Sequence, residues 1–155
     1  MPPFEIENLN SLKQFEGREF PATDWFVVTQ DRIQKFADAT GDRQWIHMDT
    51  ERSQRESPFG GTIAHGFLTL SLLSYWMKET VHIRSGVRMT VNYGLNKVRF
   101  PSAVRADTAV RARVTLLSVK QSPEFVDAAF MIQVENQSSP KPCCVAEWLV
   151  RYYPQ

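Results

Sequence analysis

The sequence predicts an α+β domain in which a curved antiparallel sheet wraps around one long buried helix. Three observations predict it. The second half of the chain alternates apolar and polar residues with period two in three separate runs. The middle of the chain, Gly66 to Lys78, is apolar almost all round at helical spacing, and a helix apolar on every side must be buried on every side. The chain has 155 residues, 43% of them apolar, which makes one domain with a core of its own. In so short a chain, burial of that helix requires a sheet around it.

The elements follow in order. Trp25 to Val28 reads as a short strand. Thr29 caps a helix over Asp31 to Ala39, with Asp31 at its positive end and Ile33, Phe36 and Ala37 on one face. Gly41 stops that helix. Asp42 to Ser57 is polar, with a short helix around Thr50 to Arg55. Ser57-Pro58-Phe59-Gly60-Gly61 is a loop by its Pro and Gly content. The apolar helix then carries Phe67, Leu68, Leu70, Leu72, Leu73, Tyr75, Trp76 and Met77, with only the small Thr69, Ser71 and Ser74 between them. Val87 to Asn92 and Lys97 to Phe100 read as two strands joined through Tyr93-Gly94-Leu95-Asn96, with Pro101 ending the second. Val110 to Leu116, Val126 to Glu135 and Cys144 to Arg151 are half-buried antiparallel strands by their alternation. No repeat, linker or low-complexity tract divides residues 1–155, which form a single domain.

The charge balance narrows the partners. Eighteen basic and seventeen acidic residues leave a net charge of +1, with no basic stripe for a nucleic acid. Any anionic ligand is met by a local patch. The N-terminus lacks a basic segment followed by an apolar run, and no stretch approaches the roughly 18 apolar residues of a membrane span. Cys143 and Cys144 are adjacent, so in a strand they face opposite ways and are expected as reduced packing residues. These features place the protein in the cytoplasm, off the membrane.

The three histidines, His47, His65 and His82, show no metal-ligand spacing, so no metal is expected. There is no Gly-x-Ser-x-Gly elbow and no phosphate-binding glycine loop. Two stretches stand out. In the first, Asp42 and His47 lie five residues apart just past a helix end, so a carboxylate and an imidazole can converge on one water. Spacing alone is met as readily by an Asp42 that caps the next turn and a His47 that packs at a loop edge. In the second, Ile63-Ala64-His65-Gly66-Phe67 opens the buried helix. The first N–H groups of a helix lack internal partners, and a glycine there admits a close ligand, so a developing oxyanion can be held. An ordinary helix start with Gly66 present for packing meets the same pattern.

Together, Gly41-Asp42-x4-His47-x-Asp49 and Ile63-Ala64-His65-Gly66-Phe67 resemble the MaoC-like dehydratases, the group that includes the (R)-specific enoyl-CoA hydratases. Asp42-Arg43-Gln44-Trp45-Ile46-His47 and the segment from Asn92 to Pro101 are most similar to the nodulation protein N subgroup. The resemblance covers about residues 20 to 150. It implies a hot-dog fold and a homodimer with active sites near the subunit interface. It implies Asp42 and His47 as the hydratase pair, the Gly66 N–H as oxyanion donor beside His65, and Ser74 as a support from the central helix. A Ser74 that bonds back to its own helix is an equal alternative. Many family members carry Asn-Pro where this chain has Gln44-Trp45, so Trp45 is expected to reshape the acyl pocket.

The reaction so implied is reversible, (R)-specific hydration of a trans-2-enoyl thioester to a 3-hydroxyacyl thioester. Asp42 or His47, with Asp42 placed first, takes a proton from the shared water as its oxygen attacks the β-carbon, and the α-carbon is protonated from the same side by His47 or by the proton just removed. No cofactor is needed beyond the coenzyme A or acyl carrier that brings the acyl group. Arg84, Arg88, Lys97, Arg99 and Arg105 are candidates to meet that carrier, with Arg99, Lys97 and Arg88 placed first. Two rivals share the fold: an acyl thioesterase, and a silent subunit of a hot-dog heterodimer. The presence of both Asp42 and His47 argues against silence.

Overall fold

The strand-rich half forms one antiparallel sheet. The computed structural model describes residues 1–155. Its elements in chain order are β1 (Phe4–Ile6), a 3-10 helix (Leu9–Phe15), β2 (Phe26–Val28), α1 (Gln30–Thr40), α2 (Trp45–Met48), α3 (Thr50–Glu56), α4 (Gly66–Ser71), α5 (Leu73–Thr80), β3 (Val81–Ile83), β4 (Val87–Arg99), β5 (Thr108–Gln121), β6 (Val126–Asn136) and β7 (Cys144–Pro154). The five-stranded sheet runs in the order β2-β5-β6-β7-β4, and β1 pairs with β3 in a small parallel sheet. No helix is long and apolar enough to cross a membrane.

Alternation fixes which face is inside. In β6, Val126, Ala128, Phe130, Ile132 and Val134 are buried, and in β7 Cys144, Ala146, Trp148, Val150 and Tyr152 are. These side chains form one core with Leu68, Leu72, Leu73 and Trp76 of the central helix. Burying each large apolar group of this kind contributes about 1.5–3 kcal/mol. The two thiols are free and buried, and burial pushes Cys143 up to about 12 and Cys144 up to about 11. The outer face is polar. There Arg151 of β7 makes paired hydrogen bonds to Asp127 of β6 at 2.7 and 2.8 Å, between the rings of Tyr93 and Phe125.

Three expectations change. First, Val87 to Phe100 is not two strands. β4 runs unbroken from Val87 to Arg99, and the irregularity at Tyr93-Gly94 is a shift of register against β7 between Asn92 and Gly94. A glycine inside an edge strand marks such a bulge as readily as a turn. Second, the central helix is two pieces. The Ser71 hydroxyl bonds the Leu68 carbonyl at 2.6 Å, so the Leu72 N–H turns to Thr69 O at 3.2 Å and the helix tightens there. Third, that helix is not buried all round. Phe67 is 70% exposed and Tyr75 45% exposed, beside an edge strand β4 whose Met89, Val91, Tyr93 and Leu95 are also exposed.

Candidate active site

The site is assembled where α1 hands over to α2 and where the chain enters α4. α1 is capped by Thr29, whose hydroxyl accepts from Arg32 N at 3.2 Å. It ends at Gly41, which adopts φ 81°, a left-handed conformation that turns the chain out of the helix. Asp42 follows at the surface. Its carboxylate accepts from Gln44 N at 3.4 Å, a weak turn cap. The polar segment after it is not a bare loop. α2 is a single turn, and it carries His47 inward to 8% exposure.

His47 is oriented by the strand-like segment before α4. Its Nδ1 donates to the Ile63 carbonyl at 2.7 Å. A carbonyl can only accept, so the proton sits on Nδ1 and Nε2 carries a lone pair. Burial, the main cause, holds the His47 imidazole below its ordinary value. The Ile63 hydrogen bond and Asp42 oppose this, and His65 adds to it.

His65 is 3% exposed and stacks on His47, with ring centroids 3.8 Å apart. Its Nε2 donates to the backbone carbonyl of Asp42 at 2.9 Å, while its Nδ1 is buried without a partner. This ring therefore holds the loop that presents the Asp42 carboxylate. Next to it, the Gly66 N–H opens α4 and finds no acceptor within the chain. A Cβ on Gly66 would lie 3.1 Å from the Phe100 ring, so close packing and an open donor coincide there. Gly66 thus has a packing reason, and its N–H is left without an acceptor in the chain.

Donor atoms of Asp42, His47 and His65 lie within 4.8 Å of one another. They are a poor metal set. The imidazole planes are 23° from parallel and stacked, so their in-plane lone pairs do not converge on one ion at the roughly 2.0–2.1 Å that zinc requires. One water fits better, since two hydrogen bonds of about 2.8 Å span such a gap.

The remaining candidates are dispersed. Ser74 is exposed and bonds neither its own helix nor any other group. It lines a cavity of about 370 Å³ with Met77, Asn92, Trp148 and Tyr152. Neither Asp42 nor His47 lines that cavity. Trp45 lies under the Arg52 guanidinium at 4.1 Å, a contact that ties α2 to α3. Arg88, Lys97 and Arg99 are exposed on β4 without ion-pair partners. Arg88 stands nine residues or more from the other two, about 30 Å along a strand, so the three cannot grip one diphosphate together. Arg84 pairs with Glu5, and Arg105 bonds the Gly60 carbonyl at 3.1 Å. Gln30 has no signal in the sequence, and Ile63 enters there only as part of the pattern that opens the helix, with no role of its own. Ile63 acts through its backbone, which no side-chain pattern reveals.

A curled sheet around a central helix, with a carboxylate and an imidazole set just ahead of that helix, defines the class of protein. Residues 12–134 match the family model of the MaoC like domain, and the chain belongs to that family. The family and hot-dog fold expected from the sequence are thereby met. Within the family, the chain is similar to 3-hydroxyacyl-thioester dehydratase Z of Mycobacterium tuberculosis, at 45% identity over 148 residues, 95% of this chain and 97% of the relative. It is also similar to nodulation protein N of Rhizobium meliloti, at 38% identity over 143 residues, 92% of this chain and 89% of that one. Among solved structures, the MaoC-like dehydratase from Rhodospirillum rubrum superposes with a TM-score of 0.74 at 20% identity, over 96% and 97% of the two chains. At that identity, the likeness is one of fold.

Proposed function

We propose that the protein is a hydro-lyase that adds water to a trans-2-enoyl thioester, giving the (R)-3-hydroxyacyl thioester, and runs the same reaction in reverse. What supports this reading is that donor atoms of Asp42 and His47 lie within 4.8 Å of one another, with His47 Nε2 left unprotonated by the Nδ1–H bond to Ile63 and the unused N–H of Gly66 opening the adjacent helix. The 45% identical dehydratase supports the same reaction class.

The chemistry follows from those three groups. Each O–H of the water points at one acceptor, which leaves an oxygen lone pair free for the β-carbon. As the C–O bond forms, the π electrons move toward the α-carbon and onto the thioester oxygen. The Gly66 N–H and the positive end of α4 stabilise that charge. The group that took the water's proton then gives it to the α-carbon on the same face, and the thioester carbonyl reforms. Because His47 rests unprotonated, it has no proton of its own to give from Nε2, and one proton makes the round trip. No resident metal takes part in this scheme.

The same reading takes a homodimer and a thioester carried by coenzyme A or an acyl carrier. What supports the dimer is the unpaired edge of β4 with Met89, Val91, Tyr93 and Leu95 beside Phe67 and Tyr75, an apolar face that one chain leaves uncovered. The exposed Lys97 and Arg99 are cations near that edge for an anionic carrier.

The test supplies trans-2-enoyl-CoA and saturated acyl-CoA side by side. Loss of the conjugated absorbance with the first, and no free thiol from the second, is the expected result. Thiol release from the saturated substrate would establish a thioesterase instead. No turnover of enoyl-CoA at any chain length would overturn the reading. Chiral analysis of the product tests the (R) assignment.

A further inference from the structure

We propose that Gln30 is a positioning residue for His47, holding its backbone while Ile63 holds its ring; this rests on the hydratase reading above. Gln30 is the first residue of α1, seventeen residues before His47. Its Nε2 donates to the His47 carbonyl at 2.8 Å, and its Oε1 accepts from the Thr62 hydroxyl at 2.6 Å. The orientation of the amide is forced, because the His47 carbonyl can only accept and the nitrogen must face it.

These bonds close a ring. Thr62 is 5% exposed, and its neighbour Ile63 accepts the Nδ1–H of His47 at 2.7 Å. Ile63 N in turn donates to Ile46 O at 3.1 Å. Gln30, His47, Ile63 and Thr62 therefore constrain one another, and the imidazole is fixed in both position and rotation. α2 needs such help. It is one turn long, Gln44 gives it no side-chain cap, and a helix that short does not hold itself in water. The His47 carbonyl lies at its end, where the turn supplies no donor, and Gln30 supplies one.

A rigid His47 matters because Nε2 must meet the water it shares with Asp42, and a displacement of about 1 Å there costs on the order of 10²-fold in rate. Gln30 touches neither water nor substrate in this account. It acts through His47.

Gln30→Leu removes both hydrogen bonds. The expected result is a fall in kcat of about 10- to 100-fold with KM changed less than about twofold, and the circular dichroism of a folded protein. Gln30→Glu separates positioning from general stability. Its carboxylate still accepts from Thr62 but opposes the His47 carbonyl, acceptor against acceptor. Protonation restores a donor there. The new carboxyl faces Arg105 and Asp107 in the same small cavity, besides His47. Its kcat relative to wild type is expected to rise as pH falls from about 7 to 5. Thr62→Val should lose part of the rate and Thr62→Ser should recover it. Nitrogen-15 shifts of the His47 ring give a readout that needs no turnover: a single Nδ1–H tautomer in wild type, and a mixture in Gln30→Leu. The proposal is overturned if Gln30→Leu keeps the wild-type kcat and the single tautomer, or if Gln30→Glu shows no recovery at low pH. If wild type fails to hydrate enoyl-CoA, the hydratase reading falls, and the tautomer of Gln30→Leu alone decides whether Gln30 positions His47.

Discussion

The inner face of β5, β6 and β7 and the segment from Asp42 to Gly66 are built on opposite rules. The sheet face is apolar and closed: Val114, Phe130, Ile132 and Ala146 are at most 1% exposed. The segment leaves polar groups open. Asp42 has an exposed carboxylate, His47 a free Nε2, His65 an unpartnered Nδ1 and Gly66 an unused N–H. An unmet polar group is costly where it is buried, so the buried, unpartnered Nδ1 of His65 beside the free Nε2 of His47 and the unused Gly66 N–H needs a reason, and binding of water and a thioester oxygen is one. Residues of the first region should matter to stability and not to chemistry; those of the second, the reverse.

The largest expected effect lies in the second region. His47→Gln should lower kcat/KM by about 10³-fold while leaving the melting temperature close to wild type, read by enoyl-CoA kinetics and thermal unfolding. Phe130→Ala should do the opposite, costing about 3–5 kcal/mol of stability with little change in rate per folded molecule, read by denaturant titration. A destabilised His47→Gln or a slow but stable Phe130→Ala would blur the division.

The pH response sharpens it further. Burial holds His47 below its ordinary value of 6.5. The unfolded chain therefore takes up a proton near 6.5 that the folded chain still refuses. The stability gained by keeping His47 neutral is complete above 6.5 and is lost as pH falls through the lower folded value. Activity needs the Nε2 lone pair, so the acid limb of kcat/KM should also lie below 6.5. A limb above 6.5 would contradict the burial argument.

Smaller still is the effect at the sheet edge. Leu95→Glu should weaken self-association, seen by sedimentation, while each chain stays folded. Dialysis against a chelator should change the rate not at all, since the stacked imidazoles of His47 and His65 do not share an ion.

The sheet was legible because its strands repeat one physical pattern. Val126, Ala128, Phe130, Ile132 and Val134 all face inward, so the alternation is complete. β4 was misread because both of its faces are exposed, which removes the alternation, and because Gly94 reads as a turn. β1 and β3 are three residues each and pair Phe4 with Val81, across about half the chain, which leaves no local signal. The helix face with Phe67 and Tyr75 read as core because sequence records that a residue is apolar and not which surface covers it. Asp42 and His47 were found through a family pattern, not through spacing. Gln30 escaped notice because its partners are a backbone carbonyl and a hydroxyl brought together only by folding.

The central claim is that Asp42 and His47 hold one water between them. The most direct measurement compares kcat for hydration of trans-2-enoyl-CoA by Asp42→Asn, His47→Gln and the double variant. Groups that act as a unit on one water lose it once, so the double variant should be no more than a few-fold slower than the slower single variant. Wild-type rates in either single variant, or losses that multiply in the double variant, would contradict the shared water.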